Sequence, residues 1–310
     1  MPLSLNHPNL ALDTPLVIAV SGGADSVSLL HLLKEAGFED LIVAHLDHQL
    51  RPNSQQEAEF VRGLATSWGY TYELKTMNIA ELTKKTKDNL EQVGRDARYE
   101  FFRELKEKHR GSFIVTAHHA DDQIETVLMN MIRGCGLDGL GGMQQREADL
   151  WRPLLPYSKG AILDYCATHQ LQYIEDESNR DITFKRNFLR HEIIPKLKEL
   201  NPNLNNTFIR NIQHWKQASD LLISQSLQFI REHQSSKHRY SLKPFLLLSE
   251  TLQALTLREL FAQTHGHKRN LDQAHLDQVL KILRHKSAGK QKEFGQGKVL
   301  LRHRNHFEIQ

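Results

Sequence analysis

The stretch PLVIAVSGGADSVSLLHLLKEAG, residues 15–37, decides the fold. An apolar run rich in Val and Ile (15–20) stops at SGGADS (21–26) and gives way to a helical pattern that closes on Gly37. Short apolar runs of this kind are the mark of a strand buried on both faces. Gly37 suits the left-handed position that follows a helix. The segment therefore reads as strand, glycine loop, helix. A loop so placed aims backbone N–H groups at an anion, and the helix dipole adds to the pull. The alternative is a plain glycine turn that caps a helix. Gly22 and Gly23 let a ligand come close to the backbone, and Ser21 and Ser26 offer hydroxyls. The Walker A pattern GxxxxGK[ST] is absent: no Lys stands in the loop, and Asp25 does. A carboxylate beside phosphates makes sense if Mg²⁺ bridges them. The loop suits a departing pyrophosphate, in chemistry that cleaves ATP between its α and β phosphates.

Outward from this loop the same alternation continues. Residues 40–48, 70–77 and 112–119 read as further strands. Helical patterns follow at 54–69, opening on Ser54 with Glu57 three places later, at 89–109 and at 121–134. Strand–helix alternation predicts an α/β fold with a doubly wound, mainly parallel sheet. Ligands of such sheets sit at the carboxyl ends of the strands. The loops after residues 20, 48 and 119 are thus where chemistry is expected. A further helical pattern spans 184–200, and the composition changes at NPNLNN (201–206). A chain of 310 residues exceeds the usual single domain. The expected division is a catalytic domain over 1–200 and a smaller, mainly helical domain over 201–310. Helices are expected there at 207–233, 243–264 and 272–285, with a terminal β-hairpin around the GQG of residues 295–297.

The net charge of +3 hides an asymmetry. Residues 201–310 hold 17 Lys and Arg against 8 Asp and Glu, while residues 1–200 hold 23 against 29. A basic second half points to a polyanionic partner, unless it is a solvated face of mixed sign. No apolar run is long enough to suggest a membrane span, and the first residues lack the layout of a signal peptide. Two cysteines, Cys135 and Cys166, form no CxxC pair. A reducing cytoplasm is the expected location.

TAHHADDQIETVLMNMIRGCGLDGLGGM, residues 116–143, sets His118, His119, Asp121 and Asp122 at a strand end and a helix mouth. Asp122 with Glu125 would make a capping box, and His119 a strand-end residue. That reading leaves unexplained why two imidazoles and two carboxylates crowd one sheet edge. A carboxylate holds Mg²⁺; an imidazole stabilises phosphate charge or takes a proton.

SGGADS matches the SGGxDS pyrophosphate loop of the N-type ATP pyrophosphatases (the PP-loop superfamily). Residues 116–143 resemble a signature of one member family, the tRNA(Ile)-lysidine synthetases. AHLDHQLRPNS (44–54), EQVGRDARYEFF (91–102), RPLL (152–155) and EDESNRDITFKRNFLRHEIIP (175–195) resemble others, in the same order. The tail resembles that family's first C-terminal domain, as in its short form. GCG stands where the family usually has GSG.

The resemblance implies an AMP-forming ligase that joins the ε-amine of L-lysine to C2 of a cytidine. That cytidine occupies the wobble position of tRNA(Ile) with a CAU anticodon. ATP adenylates its O2 and pyrophosphate leaves; the amine then displaces AMP. The implied cofactors are ATP and Mg²⁺, and no membrane is involved. A homodimer is compatible with the sequence. Ser21, Gly22, Gly23, Ala24, Asp25 and Ser26 would bind ATP, with Asp25 and Asp122 on Mg²⁺. His118, preferred to His119, or a carboxylate would take the proton of the lysine amine. Arg186 and Arg190, four apart on one helix face, would clamp phosphates or the activated base, or else form a solvated basic face. Arg98 would bind nucleotide, or else pair with Glu91 or Glu104. His45 would border the adenine, or else pack within its strand. The alternatives in function are a tRNA thiolase of the 2-thiocytidine type and a non-catalytic nucleotide-binding RNA adaptor.

Overall fold

The computed structural model describes residues 3–5, 10–49, 54–86, 90–175, 181–266, 271, 273–295 and 297–310. The chain divides into two compact units, Met1–Gln213 and His214–Gln310. The first opens with β1 (Leu16–Ala19), α1 (Ala24–Glu35), β2 (Leu41–Asp47), α2 (Ser54–Ser67) and β3 (Thr71–Thr76). It continues with α3 (Ile79–Thr86), α4 (Leu90–Lys108), β4 (Phe113–Val115) and α5 (Ala120–Arg133). Then come α6 (Leu137–Leu140), β5 (Arg146–Glu147), β6 (Leu150–Trp151), α7 (Lys159–Thr168), α8 (Lys185–Phe188), a π turn (Leu189–Ile193) and α9 (Ile194–Leu200).

The sheet order is β3-β2-β1-β4-β6-β5, parallel throughout except for the short β5–β6 pair. The alternation along β1 and its neighbours fills both faces. Leu16, Ile18, Leu41, Val43 and Val115 pack in one core with α1. Val17, Ile42, Ala44, Leu46 and Ile114 pack in the other with Phe101, Phe102 and Leu105 of α4. All seven residues of β2 are buried, and its sequence is an apolar run interrupted only by His45 and Asp47. Gly37 has φ +85 and closes α1, with Phe38 N bonded to Leu33 O and Gly37 N to Lys34 O. That is the Schellman pattern expected of a glycine there.

The chain runs outward from β1 to β2 and β3, then returns to place β4 on the other flank of β1. The reversal lies between β1 and β4, and the loops leaving these two strands flank it. The expected strand over 112–119 is shorter than its sequence suggested. Only Phe113–Val115 are strand, and residues 116–119 form the loop. That loop carries the histidines past the sheet edge.

Helix α10 (Leu204–His233) begins in the first unit and ends in the second. The second unit continues with β7 (Gln234–Ser236), β8 (Arg239–Ser241), α11 (Leu242–Leu247) and α12 (Glu250–His265). It ends with α13 (Gln273–Leu283), β9 (Lys290–Gly295), β10 (Lys298–Arg302) and β11 (His306–Ile309). The expected hairpin is present as β9–β10, and it belongs to a five-stranded antiparallel sheet ordered β7-β8-β11-β10-β9. Phe245, Phe294, Phe307, Leu257 and Val279, all fully buried, join the helices to this sheet.

Candidate active site

The loop after β1 is folded around one hydroxyl. Ser26 Oγ accepts from Ser21 N at 3.2 Å and donates to Gly23 O at 3.0 Å. Gly22 has φ +90, and a Cβ there would meet Val61 Cγ2 at 3.3 Å. The backbone conformation calls for glycine, and a Cβ would in addition press on Val61. Gly23 is the N-cap residue of α1 and makes no side-chain cap. The cap residue itself thus supplies no side-chain acceptor to the first-turn N–H groups of α1, and an anion suits that position. Below the loop, His45 is buried and its Nδ1 lies 2.8 Å from the Val20 carbonyl. It braces the strand end that carries the loop. Burial lowers its pKa, so the imidazole is neutral and Nδ1–H donates.

Across the reversal, α5 starts at the end of the β4 loop. His119 is its N-cap residue, and Asp122 Oδ2 accepts from His119 N at 2.9 Å. The capping carboxylate is thus Asp122 answering His119. Glu125, which the sequence offered as Asp122's capping partner, does something else: it is fully buried. Arg190 spans it, Nε to Oε1 at 2.6 Å and Nη2 to Oε2 at 3.0 Å. Arg186 Nε lies 3.3 Å from Glu125 Oε2, and its Nη2 donates to Thr126 Oγ1 at 2.9 Å. The two arginines do share a face, and that face is turned to a buried carboxylate.

The buried His119 ring sits among carboxylates. Its Nε2 is 3.8 Å from Asp25 Oδ2 and 3.5 Å from Asp122 Oδ2; its Nδ1 is 3.8 Å from Asp121 Oδ2. Asp25, in the first turn of α1, and Asp122, in the first turn of α5, therefore meet at one imidazole. The lysine missing from the loop arrives from elsewhere: Lys159 Nζ is 2.6 Å from Asp25 Oδ1. Asp121 is held by Lys159 N at 2.8 Å and Lys198 Nζ at 2.6 Å. Asp122 also takes Arg190 Nη2 at 3.3 Å.

The charges follow from these contacts. Burial pushes the Asp122 carboxyl up, but His119, His118, the His119 N–H and Arg190 outweigh it and hold the group below the usual carboxylate range. Burial pushes Glu125 up, and Arg190 does not fully offset it. His118 hydrogen bonds Thr116 Oγ1 through Nδ1 at 2.8 Å. Burial lowers its pKa to about 4 against the pull of Asp122, so it is neutral at neutral pH. Arg98 lies on α4, exposed, with Nη2 3.1 Å from His48 Nε2. Its suggested partner Glu104 instead pairs with Lys75 at 2.6 Å. The side chain of Glu91 lies outside the described residues.

Mg²⁺ takes hard oxygen ligands and is held by one or two carboxylates plus substrate phosphates rather than by an all-protein cage. Asp25 and Asp122 supply such oxygens, and among the described residues they close into no cage. The donor set fits the ion. Sequence reasoning did not single out Lys159, Lys198 or the central place of His119. Ser158 marks a helix start, since its Oγ accepts from Ala161 N. Nothing local says that this helix start lies against Asp25.

Residues 5–197 match the PP-loop domain family, and residues 241–307 match the TilS substrate binding domain. A tRNA(Ile)-lysidine synthase of Thermotoga sp. (strain RQ2) is 36% identical over 199 residues, covering 63% of this chain and 48% of that protein. Another, of Nitrosomonas europaea, is 32% identical over 258 residues, covering 80% of this chain and 55% of that one. The chain spans about half the length of these curated relatives. Among solved structures, the U34-tRNA thiolase NcsA of Methanococcus maripaludis superposes with a TM-score of 0.57 at 18% identity, over 68% of this chain and 75% of that one. That likeness is one of fold. Among the described residues, no helix is long and apolar enough to cross a membrane.

Proposed function

Because this chain belongs to the PP-loop domain family, we propose that it is a cytoplasmic tRNA-modifying ligase. It uses ATP to adenylate the wobble cytidine of a CAU-bearing tRNA(Ile), and L-lysine then displaces AMP to leave lysidine. The observation that carries this reading over the rest of the superfamily is the second match. The same chain pairs the pyrophosphate loop with a TilS substrate binding domain over 241–307. A thiolase working through a cysteine-held iron–sulfur cluster needs a set of cysteine ligands. This chain has two cysteines, and Cys166 is buried against Ser28.

The chain's own residues divide the work as follows. The N–H groups of Gly22, Gly23 and Ala24 and the hydroxyls of Ser21 and Ser26 receive the departing pyrophosphate. Asp25 and Asp122 hold Mg²⁺, which when bound neutralises phosphate charge. Lys159, one bond from Asp25, brings the cation that the loop lacks. Glu125 holds the guanidinium of Arg190 in one orientation through Nε and Nη2, so that Nη1 is the donor it offers to the substrate. A free lysine amine has a pKa of about 10.4 and must shed a proton before it attacks. His118 is a poor acceptor while its pKa stays about 4. Negative charge arriving with the nucleotide raises it, so its basicity depends on the loaded site.

The test is to incubate the protein with ATP, Mg²⁺, labelled lysine and tRNA(Ile) bearing CAU, digest to nucleosides and weigh them. A cytidine heavier by one lysine less water is expected, with AMP and pyrophosphate in equal amounts. ADP as the nucleotide product, or a sulfur-bearing nucleoside when a sulfur donor is supplied, overturns the reading.

A further inference from the structure

In the second unit, HRNHFE (303–308) turns the chain from β10 into β11. His303 N donates to His306 O at 2.8 Å, closing a four-residue turn. His306 and Glu308 are two apart on a strand, so they leave the same face of the sheet. Phe307 and Ile309 leave the other and are buried in the core. The turn brings His303 back over that pair. Its ring stacks on His306 with centroids 4.3 Å apart, and its Nε2 lies 3.2 Å from Glu308 Oε1. One ligand atom from each of His303, His306 and Glu308 lies within 4.8 Å of the other two, and among the described residues no other group of metal-ligand types does this.

A second observation points the same way. Nε2 of His306 is shut off from solvent and has no hydrogen-bond partner among the described residues. A buried imidazole nitrogen left this way is costly unless something fills its lone pair or takes its proton. Glu308 is meanwhile oriented for a ligand role. Arg239, opposite it on β8, holds Oε2 through Nε at 3.2 Å and Nη2 at 3.1 Å. Oε1 is turned to His303 and to Gln310 Nε2, which donates to it at 2.7 Å. Carboxylate ligands are commonly fixed by a further hydrogen bond in this manner.

We propose that His303, His306 and Glu308 form a binding site for a divalent transition-metal ion of the zinc class. Two imidazoles and one carboxylate are a zinc-type donor set, with the remaining tetrahedral position left to water. For His303 Nε2, now directed at Glu308 Oε1, to bind the ion, the neutral ring takes the tautomer that carries its proton on Nδ1. The ion ties the β10–β11 turn to β11, the central strand of the sheet. It is independent of the Mg²⁺ at Asp25 and Asp122, since those are oxygen ligands and these include two nitrogens.

The full chain, stripped with EDTA and desalted, is titrated with Co²⁺ and then with Zn²⁺. Wild type should develop the visible absorption of tetrahedral Co²⁺, lose it to stoichiometric Zn²⁺ and keep it in millimolar Mg²⁺. The Asp25→Asn and His214→Ala variants should do the same. The His303→Ala/His306→Ala double variant should take up one equivalent less, and Glu308→Gln should bind at least tenfold more weakly. Zn²⁺ should raise the Tm of wild type and not that of the double variant. If the double variant fails to fold, His303→Gln alone, at the partly exposed turn position, must show the loss. Equal uptake by wild type and these variants, or no Co²⁺ absorption in wild type, overturns the proposal.

Discussion

At the scale of the residue, Asp25 and His118 carry the arguments that can be tested most directly. Asp25 is half-exposed and paired with a half-exposed Lys159. Ion pairs of that kind contribute roughly 0–1 kcal/mol to stability. Lys159→Met should therefore leave the urea midpoint nearly unchanged while pyrophosphate release falls tenfold or more. An equal loss of stability and activity would mean that Lys159 only supports the fold. Asp25→Ala should stop adenylation, read as pyrophosphate release, and leave tRNA binding within a few-fold of wild type. His118 makes a pH prediction. Its folded pKa of about 4 lies below the ordinary histidine value of 6.5. Between those two values the unfolded chain binds the extra proton, so stability rises with pH across that window and levels off above it. His118→Gln should flatten the slope of the urea midpoint between pH 4 and 6.5. An unchanged slope would place the titrating group elsewhere.

At the scale of the element, α5 is joined to the helical run 185–200 through Glu125, Arg186 and Arg190. Removing Arg190 leaves a fully buried carboxylate with one weaker partner, and an uncompensated buried charge costs about 3–5 kcal/mol. Arg190→Ala should lower the unfolding free energy by that order, whereas Arg190→Ala with Glu125→Gln should recover part of it. A double-mutant cycle in denaturant reads the difference. This pair also marks where sequence reading stopped. β1, α1 and β2 were legible because a doubly buried strand is an apolar run and a helix of this kind ends on a glycine. The two-residue strands β5 and β6 were not, since two residues have no period to read. The pattern over 243–264 hid a break: α11 ends at Leu247, and Ser249 caps α12 by accepting from Leu252 N. Apolar spacing carried through the break, although a serine before Glu250 was a readable start signal. The loop at Ser21–Ser26 and the histidines just before α5 were visible as clusters in sequence. Lys159 and Lys198 were not, because they meet Asp25 and Asp121 from 134 and 77 residues away, and no local pattern encodes such a meeting.

At the scale of the whole molecule, the charge asymmetry separates the two tasks that the proposed reaction needs. The unit ending in β11 lies within the basic part of the sequence, and its sequence matches a substrate binding domain over 241–307. Binding to a polyanion through such residues releases counterions, so affinity falls with salt in proportion to the phosphates neutralised. Lys281, Lys286 and Lys290 are exposed on this unit. Replacing all three with Gln should weaken tRNA binding for every tRNA sequence alike. The slope of log affinity against log salt should become shallower by about 0.7–0.9 for each phosphate that a lysine no longer neutralises. ATP binding, followed by a fluorescent nucleotide, should not change, because the loop proposed to receive it belongs to the other unit. A variant whose affinity drops with no change in salt slope would mean that these lysines hold the fold of the unit, and that RNA is met by other residues. A variant that loses nucleotide binding as well would tie the two units together in a way that the division of charge does not anticipate.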